Sequence, residues 1–274
     1  EAIDFALAID DSNAEALTLK AFCYQQSGEL QKSCDYYLRL AEQQENKTRA
    51  YLALAKTYFE MQDYTSSIYY IEALLDNKDA LSKYELSELY GDIALCHAAL
   101  KHIGVGQASI RRSLELNEND PDTLIVAGRF FLMEAKACND ETAKAENQAK
   151  GELYFRQALN LIMEDERLDY LFTIGAACFD TQNFKLAAQY YEQINREFPD
   201  NAPATYFFLA YCYFYLEEAI SCMHYIAKMK HELPDAYSNL GTSDSILSDT
   251  RFNELMRNLK DSVNNGKVDL DNFL

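Results

Sequence analysis

The chain has 274 residues, of which 49% are hydrophobic, and it carries a formal net charge of −19. Nucleic acids and anionic membranes attract basic surfaces, so this acidity argues against both as partners. Only 9 glycines and 4 prolines interrupt the chain, which favours helices over a many-stranded sheet.

The cysteines and the apolar runs indicate the environment of the chain. Its 7 cysteines form no CxxC pair and mostly fall on apolar helix faces, so we expect reduced, buried thiols and a cytoplasmic location. No apolar run reaches the roughly 18 residues that a membrane-spanning helix needs, so we expect no membrane insertion. The sequence opens at Glu1 within a helical pattern, without a Met or a signal peptide, and we therefore expect an excerpt of a longer protein.

In chain order, a truncated helix comes first and repeated units follow. Residues 1–13 have the pattern of the second helix of a preceding unit, and residues 14–234 contain six units, each with one small residue in each of its two helices. The small residues of the first helices are Ala21, Ala55, Ala94, Gly128, Gly175 and Ala210. Those of the second helices are Ser33, Ser67, Gly106, Gly151, Ala187 and Cys222. Because bulk at a crossing holds two helices apart, this spacing predicts closely packed helix pairs.

The fifth unit, residues 171–199, shows the pattern most completely. Two amphipathic helices are separated by a short polar break, and Pro199 ends the second one. The spacing resembles the tetratricopeptide repeat, a unit of about 34 residues, with Leu171 in the Trp place and Cys178 in the Tyr place of that pattern. The resemblance implies an all-α fold, a right-handed α-solenoid of stacked antiparallel helix pairs. At Gly175 we expect Leu to force the pair apart and Ala to be tolerated much better.

The fourth unit departs from the pattern through an insertion at about residues 134–147. Its Ala, Glu and Lys content favours an extension of the helices around a break at Asn139-Asp140. Because stacked units must contact one another, we expect the insertion to lie at an edge of the array, where its deletion leaves folding largely intact.

Residues 235–274 should contain a linker, a capping helix and an acidic tail. The last repeat of a stack exposes an apolar side that a more polar helix must cover. The helix predicted at residues 250–264 fits this role, because Phe252, Leu255 and Met256 share one of its faces with Leu259.

Histidines and cysteines are candidates for site chemistry, but they do not have metal-site spacing. Metal sites on helices usually place ligands at i and i+3 or i+4, whereas the CxH pair Cys222 and His224 puts them on different faces. His231 follows on the same helix, and His97 beside Cys96 occupies a Tyr place of the repeat. We interpret these residues as structural, and we expect no catalytic residue, no cofactor and no metal site.

The resemblance also implies a peptide-binding groove, because the first helix of each unit lines the concave face in this family. The residues at the groove places are Phe22, Leu52, Lys56, Leu95, Arg129, Phe172, Phe179, Phe207, Tyr211 and Phe214. The C-terminal half of this set is aromatic, so we expect a partner to lay apolar side chains there and to direct acidic groups toward Lys56 and Arg129. Two alternatives stay open: the rings pack against one another, or the chain's own tail covers them.

The function that follows is that of a scaffold that binds a peptide or helix of a partner protein. The Lys and Asn pair with which some family members grip a chaperone's C-terminal carboxylate is absent, so we do not expect a chaperone-tail clamp. One alternative is a docking arm of a larger enzyme or regulator whose active domain lies outside these residues. Another is a self-association module that forms a homodimer.

Overall fold

The structure, a computed structural model, describes residues 2–76, 78, 81–239 and 249–264. All regular secondary structure in these ranges is helical, so the predicted all-α class is confirmed. The first helices are α1 (Ala2–Ile9), α2 (Ala14–Gln26), α3 (Leu30–Ala41), α4 (Lys47–Glu60), α5 (Tyr64–Leu75), α6 (Lys83–Ala99), α7 (Ile103–Leu116) and α8 (Pro121–Ala137). The next are α9 (Glu141–Leu161), α10 (Arg167–Asp180), α11 (Phe184–Glu197), α12 (Tyr206–Tyr215), α13 (Ala219–Glu232), α14 (Pro234–Asn239) and α15 (Thr250–Asn264). None of these helices is long and apolar enough to span a membrane.

The chain divides into two compact parts, which are distinct from the six repeat units. We call them the N-terminal unit (Glu1–Tyr154) and the C-terminal unit (Phe155–Leu274). In the N-terminal unit, α2 pairs with α3, α4 with α5 and α6 with α7, and successive pairs contact each other through α3 and α4 and through α5 and α6. In the C-terminal unit, α10 pairs with α11 and α12 with α13, and α11 contacts α12. Each unit is therefore a stack of helix pairs in which each pair packs on its neighbour.

Side-chain caps mark several helix starts. The side chain of Asn13 accepts a backbone hydrogen bond at the start of α2. Ser82 and Glu85 bond each other's backbone N–H groups in a capping box before α6, and the Asp120 side chain caps α8. Such caps satisfy N–H groups that have no partner inside the helix, and each stabilises its helix by about 1 kcal/mol.

The turn inside a helix pair has the same geometry in five of the described pairs. One residue of each turn has a positive φ, and these residues are Gly28, Gln62, Lys101, Gln182 and Glu217. The next residue donates its N–H to a carbonyl in the last turn of the first helix, as from Asn183 to Cys178 at 2.9 Å. This bond is the Schellman motif, which closes the end of a helix. The accepting residues are Tyr24, Tyr58, His97, Cys178 and Tyr213, the Tyr places of the predicted repeats.

All twelve small residues predicted at helix crossings are buried. The hydroxyl of Ser67 donates a hydrogen bond to the carbonyl oxygen of Ala55 at 2.8 Å, so the two residues of the second unit meet directly. In the fourth unit, a Cβ added at Gly151 would lie 2.9 Å from the carbonyl oxygen of Gly128. Since backbone atoms cannot move aside, only glycine permits this approach.

At Gly175 the close neighbour is an aromatic ring. A Cβ added there would lie 2.9 Å from Cε1 of Tyr191. This tyrosine is fully buried and stacks on Phe208 with ring centroids 4.9 Å apart. A ring enclosed in this way has little space into which it can move. Even one methyl group at position 175 therefore meets the ring, and that Leu is tolerated less well than Ala stays a prediction.

The fourth unit shows the helix break that its composition indicates. Helix α8 ends at Ala137 and α9 begins at Glu141, and the Asp140 carboxylate accepts a hydrogen bond from the N–H of Ala143 at 2.7 Å. Glu134 and Ala135, however, are buried. Their side chains therefore pack inside the N-terminal unit, while the extent of the insertion, about residues 134–147, stays a prediction. That its residues can be deleted also stays a prediction.

The C-terminal helix α15 contacts α13. Phe252 near its start is buried, and its ring centroid lies 6.3 Å from that of Phe214 in α12. This contact is the kind expected of a capping helix. The parts of the predicted linker and tail at residues 240–248 and 265–274, and the side chain of Leu259, lie outside the described residues.

Candidate functional site

The predicted groove residues of the N-terminal unit differ in their exposure. Phe22 and Leu52 are exposed, at 50% and 37%, and the Lys56 side chain also faces solvent. Leu95 is only 4% exposed, and it belongs to a core cluster that includes Ile110 and Phe130. A residue buried among these side chains cannot contact a partner, so the assignment of Leu95 to the groove surface is corrected.

In the N-terminal unit, charged side chains from the first helices of three repeats, α4, α6 and α8, interact electrostatically. Lys56 of α4 and Arg129 of α8 act electrostatically on Asp92 of α6, and the nearby carboxylate of Glu88 opposes them. Burial raises the pKa of Asp92 to about 6, since the cations offset only part of the cost of removing its charge from water. Burial likewise raises the pKa of Glu88.

This cluster changes the expected role of the two cations. Lys56 and Arg129 were the residues expected to attract acidic groups of a partner, but carboxylates of the chain itself already lie within their field. The Arg129 guanidinium also lies over the Phe59 ring, 5.6 Å from its centroid. An incoming acidic side chain would be repelled by Asp92 and Glu88, so this part of the surface does not favour one.

Histidine and cysteine side chains form no metal site in the part of the chain that the structure describes, where no three potential ligands come together. The two histidines at the α6–α7 turn form a pair, with His97 Nδ1 3.3 Å from His102 Nδ1. Burial and the neighbouring His102 lower the pKa of His97. None of the seven cysteines forms a disulfide, and burial raises the pKa of Cys212 and Cys222 to about 12, so these two are unreactive thiols at neutral pH.

The C-terminal unit brings most of its predicted groove residues together. Phe207 and Tyr211 lie one helical turn apart on α12, with ring centroids 4.6 Å apart. Phe179 of α10 contacts Tyr211 at 6.3 Å, edge to face. Phe172 lies apart from this group, against Tyr191 at 6.4 Å. Phe207 is 39% exposed, while the others are partly buried, so the surface presents one open ring supported by several packed ones.

Phe214 does not belong to this surface. Its side chain is 5% exposed, lies against Phe252 and is covered by the Arg251 guanidinium, 5.2 Å from the ring centroid. Asp249 holds that guanidinium through hydrogen bonds of 2.5 and 3.1 Å. The start of the C-terminal helix thus occupies the place at which Phe214 was predicted to meet a partner, and this assignment is corrected.

Three aromatic contacts were not predicted. Phe208 packs beneath the surface, with its centroid 5.6 Å from Phe207 and 5.5 Å from Phe179. Phe184 stacks on Tyr215 with centroids 4.4 Å apart. Helix α12 has aromatic residues on every side, so the helical period could not show which rings face outward.

Comparisons with known proteins agree with a helical repeat. A family model described as tetratricopeptide repeat matches residues 48–80. The crystal structure of YrrB, a TPR protein with an unusual peptide-binding site, is 16% identical over 73% of this chain and 94% of that chain, with a TM-score of 0.41. The TPR domain of P58(IPK) is 13% identical over 95% of this chain and 83% of that chain, with a TM-score of 0.27. No curated protein sequence matches the chain.

Proposed function

Since the chain is a helical repeat protein with a tetratricopeptide repeat at residues 48–80, we propose that it is a non-catalytic scaffold that binds a partner protein. The proposed contact is the aromatic surface of the C-terminal unit, which we define as Phe179, Phe207 and Tyr211. A cytoplasmic location remains part of this proposal.

The observation that carries the proposal is the exposed ring of Phe207 on a platform of packed rings. Phe208 and Tyr211 contact Phe207 at 5.6 and 4.6 Å and hold it in place. An aromatic side chain that is already fixed loses little conformational freedom when a partner covers it. Exposed aromatic residues of this kind often contribute most of the affinity of an interface. The ligand best suited to this surface is a segment with apolar side chains on one face.

The proposal can be tested with a library of random peptides displayed on phage. Peptides selected on the intact chain should be rich in apolar residues, and their binding should fall at least 10-fold in Phe207→Ala/Tyr211→Ala, which corresponds to a loss of about 1.4 kcal/mol or more. The matched control is Tyr69→Ala, which removes an exposed ring from α5 of the N-terminal unit. Peptides that bind both variants equally well would place the interaction elsewhere.

Self-association is tested in the same preparation. Light scattering at rising protein concentration reports the mass of the particle, for which the chain itself contributes 31.4 kDa. A dimer that Phe207→Ala/Tyr211→Ala dissociates would show that a second copy, rather than another protein, covers the aromatic surface.

A further inference from the structure

The aromatic surface of the C-terminal unit continues as a row of rings toward the end of α12. Phe184, the first residue of α11, contacts Phe179 of that surface edge to face at 5.6 Å. Phe184 also stacks on Tyr215, the last residue of α12, with ring centroids 4.4 Å apart. Tyr215 is 43% exposed. The row therefore ends in a second open ring, which lies outside the aromatic surface defined above.

The start of α15 occupies this end of the row. The Arg251 guanidinium lies over two rings, 5.2 Å from the centroid of Phe214 and 5.4 Å from that of Tyr215. The next residue, Phe252, is buried, with its ring centroid 6.3 Å from that of Phe214. A guanidinium over an aromatic face makes a favourable cation–π contact. The chain's own segment thus shows that the end of α12 binds an arginine followed by an aromatic residue.

Asp249 holds the Arg251 guanidinium in this position. Its Oδ1 accepts hydrogen bonds from the backbone N–H and from Nε of Arg251, at 2.8 and 3.1 Å. Its Oδ2 accepts a hydrogen bond from Nη2 at 2.5 Å. A carboxylate that binds a guanidinium through both oxygens fixes its orientation as well as its place. The cation is therefore directed at the rings rather than free in solvent.

Helix α15 is attached to the unit mainly through this start. Among its side chains that the structure describes, only Phe252 is buried, and Leu255 and Met256 on the same face are partly exposed. The Arg251 side chain is 61% exposed. An element that buries few apolar side chains opens locally at a small cost in free energy. Helix α15 is therefore suited to exchange with a segment that offers the same two contacts.

The charge of the chain favours an incoming arginine at the end of α12. Glu217 and Glu218 lie in the turn between α12 and α13, two and three residues after Tyr215, and both are exposed. The net charge of −19 attracts cationic segments over longer distances. A partner segment that carries arginine is therefore attracted to this end of the unit, whereas an acidic segment is repelled.

We propose that α15 occupies, within the chain, a binding site for a partner segment in which an arginine is directly followed by an aromatic residue. The arginine of that segment lies over Phe214 and Tyr215 in the place of Arg251, and its aromatic ring replaces Phe252. The inference rests on the proposed function, because it names the chemistry of the partner that the scaffold binds. It extends the contact from the aromatic surface to the end of α12.

The test begins with Arg251→Ala/Phe252→Ala in the full chain, which we call the vacated variant because it removes both side chains that α15 places against the rings. A fluorescent peptide with the sequence of residues 249–260 should bind the vacated variant saturably, as measured by fluorescence anisotropy. It should bind the parent roughly 10-fold more weakly or less, because the tethered segment competes at a high effective concentration. The same peptide with both alanine substitutions should bind neither protein.

Further variants locate the contact and guard against a folding defect. Tyr215→Ala, added to the vacated variant, should weaken binding of the peptide about 5-fold through the loss of a cation–π contact. Tyr69→Ala, which removes an exposed ring from the N-terminal unit, should leave it unchanged when added in the same way. If the vacated variant does not fold, Arg251→Ala alone changes only an exposed side chain and should also bind the peptide more tightly than the parent does.

The class of partner is tested by selecting the phage library on the vacated variant. The selected peptides should be enriched in arginine followed by an aromatic residue, and they should compete with the peptide of residues 249–260. Selection without this enrichment, or no saturable binding of that peptide, would overturn the proposal. So would a dimer of the parent that the vacated variant dissociates, since α15 of a second copy would then be the occupant. The proposed function is decided separately, by whether binding depends on Phe207 and Tyr211.

Discussion

Asp92 is a residue whose environment makes the stability of the protein depend on pH. Its pKa rises from 3.8 to about 6 in the folded chain, chiefly through burial. The folded state therefore binds more protons than the unfolded state between these values, and stability falls as the pH rises through that window. The penalty is fully present above about pH 6 and is relieved on acidification.

We predict that Asp92→Asn weakens this dependence. In urea titrations of the parent chain, Asp92 should contribute about 1 kcal/mol of added stability on going from pH 7.5 to pH 5.5, and the variant should lack this contribution. Asp11→Asn, at an exposed position, is the control and should follow the parent. If Asp92→Asn keeps the full pH dependence, the burial of this carboxylate has no thermodynamic effect.

Two glycines in helices give opposite predictions for the same substitution. Gly175→Ala should destabilise the protein by about 1–3 kcal/mol, because the new methyl group meets the buried ring of Tyr191. Gly104→Ala, in the first turn of α7, meets nothing within 4 Å and should be neutral or stabilising by up to about 1 kcal/mol. Thermal unfolding followed by circular dichroism compares the two. Equal melting temperatures would mean that the α10–α11 packing is looser than the structure shows.

The spacing of small residues predicted where the helices cross, but it could not predict which neighbour each one meets. Gly151 faces the backbone of Gly128, whereas Gly175 faces the ring of Tyr191. For the same reason Leu95 and Phe214 were assigned to the groove although both are buried. One position in a repeat faces solvent or core according to how the next element packs, and no local pattern encodes that packing.

The turns inside the helix pairs allow a prediction at the level of the secondary-structure element. Four of the five residues with positive φ are not glycine, and an L-residue pays about 1 kcal/mol for this conformation. We therefore expect Gln182→Gly to stabilise the C-terminal unit by roughly 0.5–1 kcal/mol and Gly28→Ala to destabilise the N-terminal unit by a similar amount. Chemical denaturation measures both. Destabilisation by Gln182→Gly would show that its side chain contributes more than its backbone strain costs.

The ends of helices were predictable where the sequence contains residues that disfavour a helix, such as proline, asparagine and aspartate. The end of α11 before Pro199 follows from the loss of an N–H donor and the fixed φ of proline. The helix break before Glu141 follows from Asn139 and Asp140, whose side chains compete with the helical backbone. The 3-10 helix Pro199–Thr205 was not predicted, because its two prolines indicate only that the α-helix ends.

At the level of the whole molecule, net charge and individual ion pairs make opposite contributions to the effect of salt. A net charge of −19 destabilises the folded state through repulsion, which salt screens over about 10 Å at 0.1 M. The ion pairs Lys20–Asp4 at 2.7 Å and Arg167–Glu197 at 2.8 Å are partly exposed, so salt weakens them too. Each such pair contributes only about 0–1 kcal/mol, so the repulsion should dominate.

We therefore predict that the melting temperature at pH 7.5 rises when NaCl is raised from 10 to 300 mM, concentrations chosen so that the screening length falls from roughly 30 Å to less than about 8 Å. The control is the same titration at pH 5.0, close to the isoelectric point of about 4.6, where little net charge remains and salt should have a much smaller effect. A melting temperature that falls with salt at pH 7.5 would mean that the ion pairs outweigh the net charge, and that the acidic surface is compensated locally.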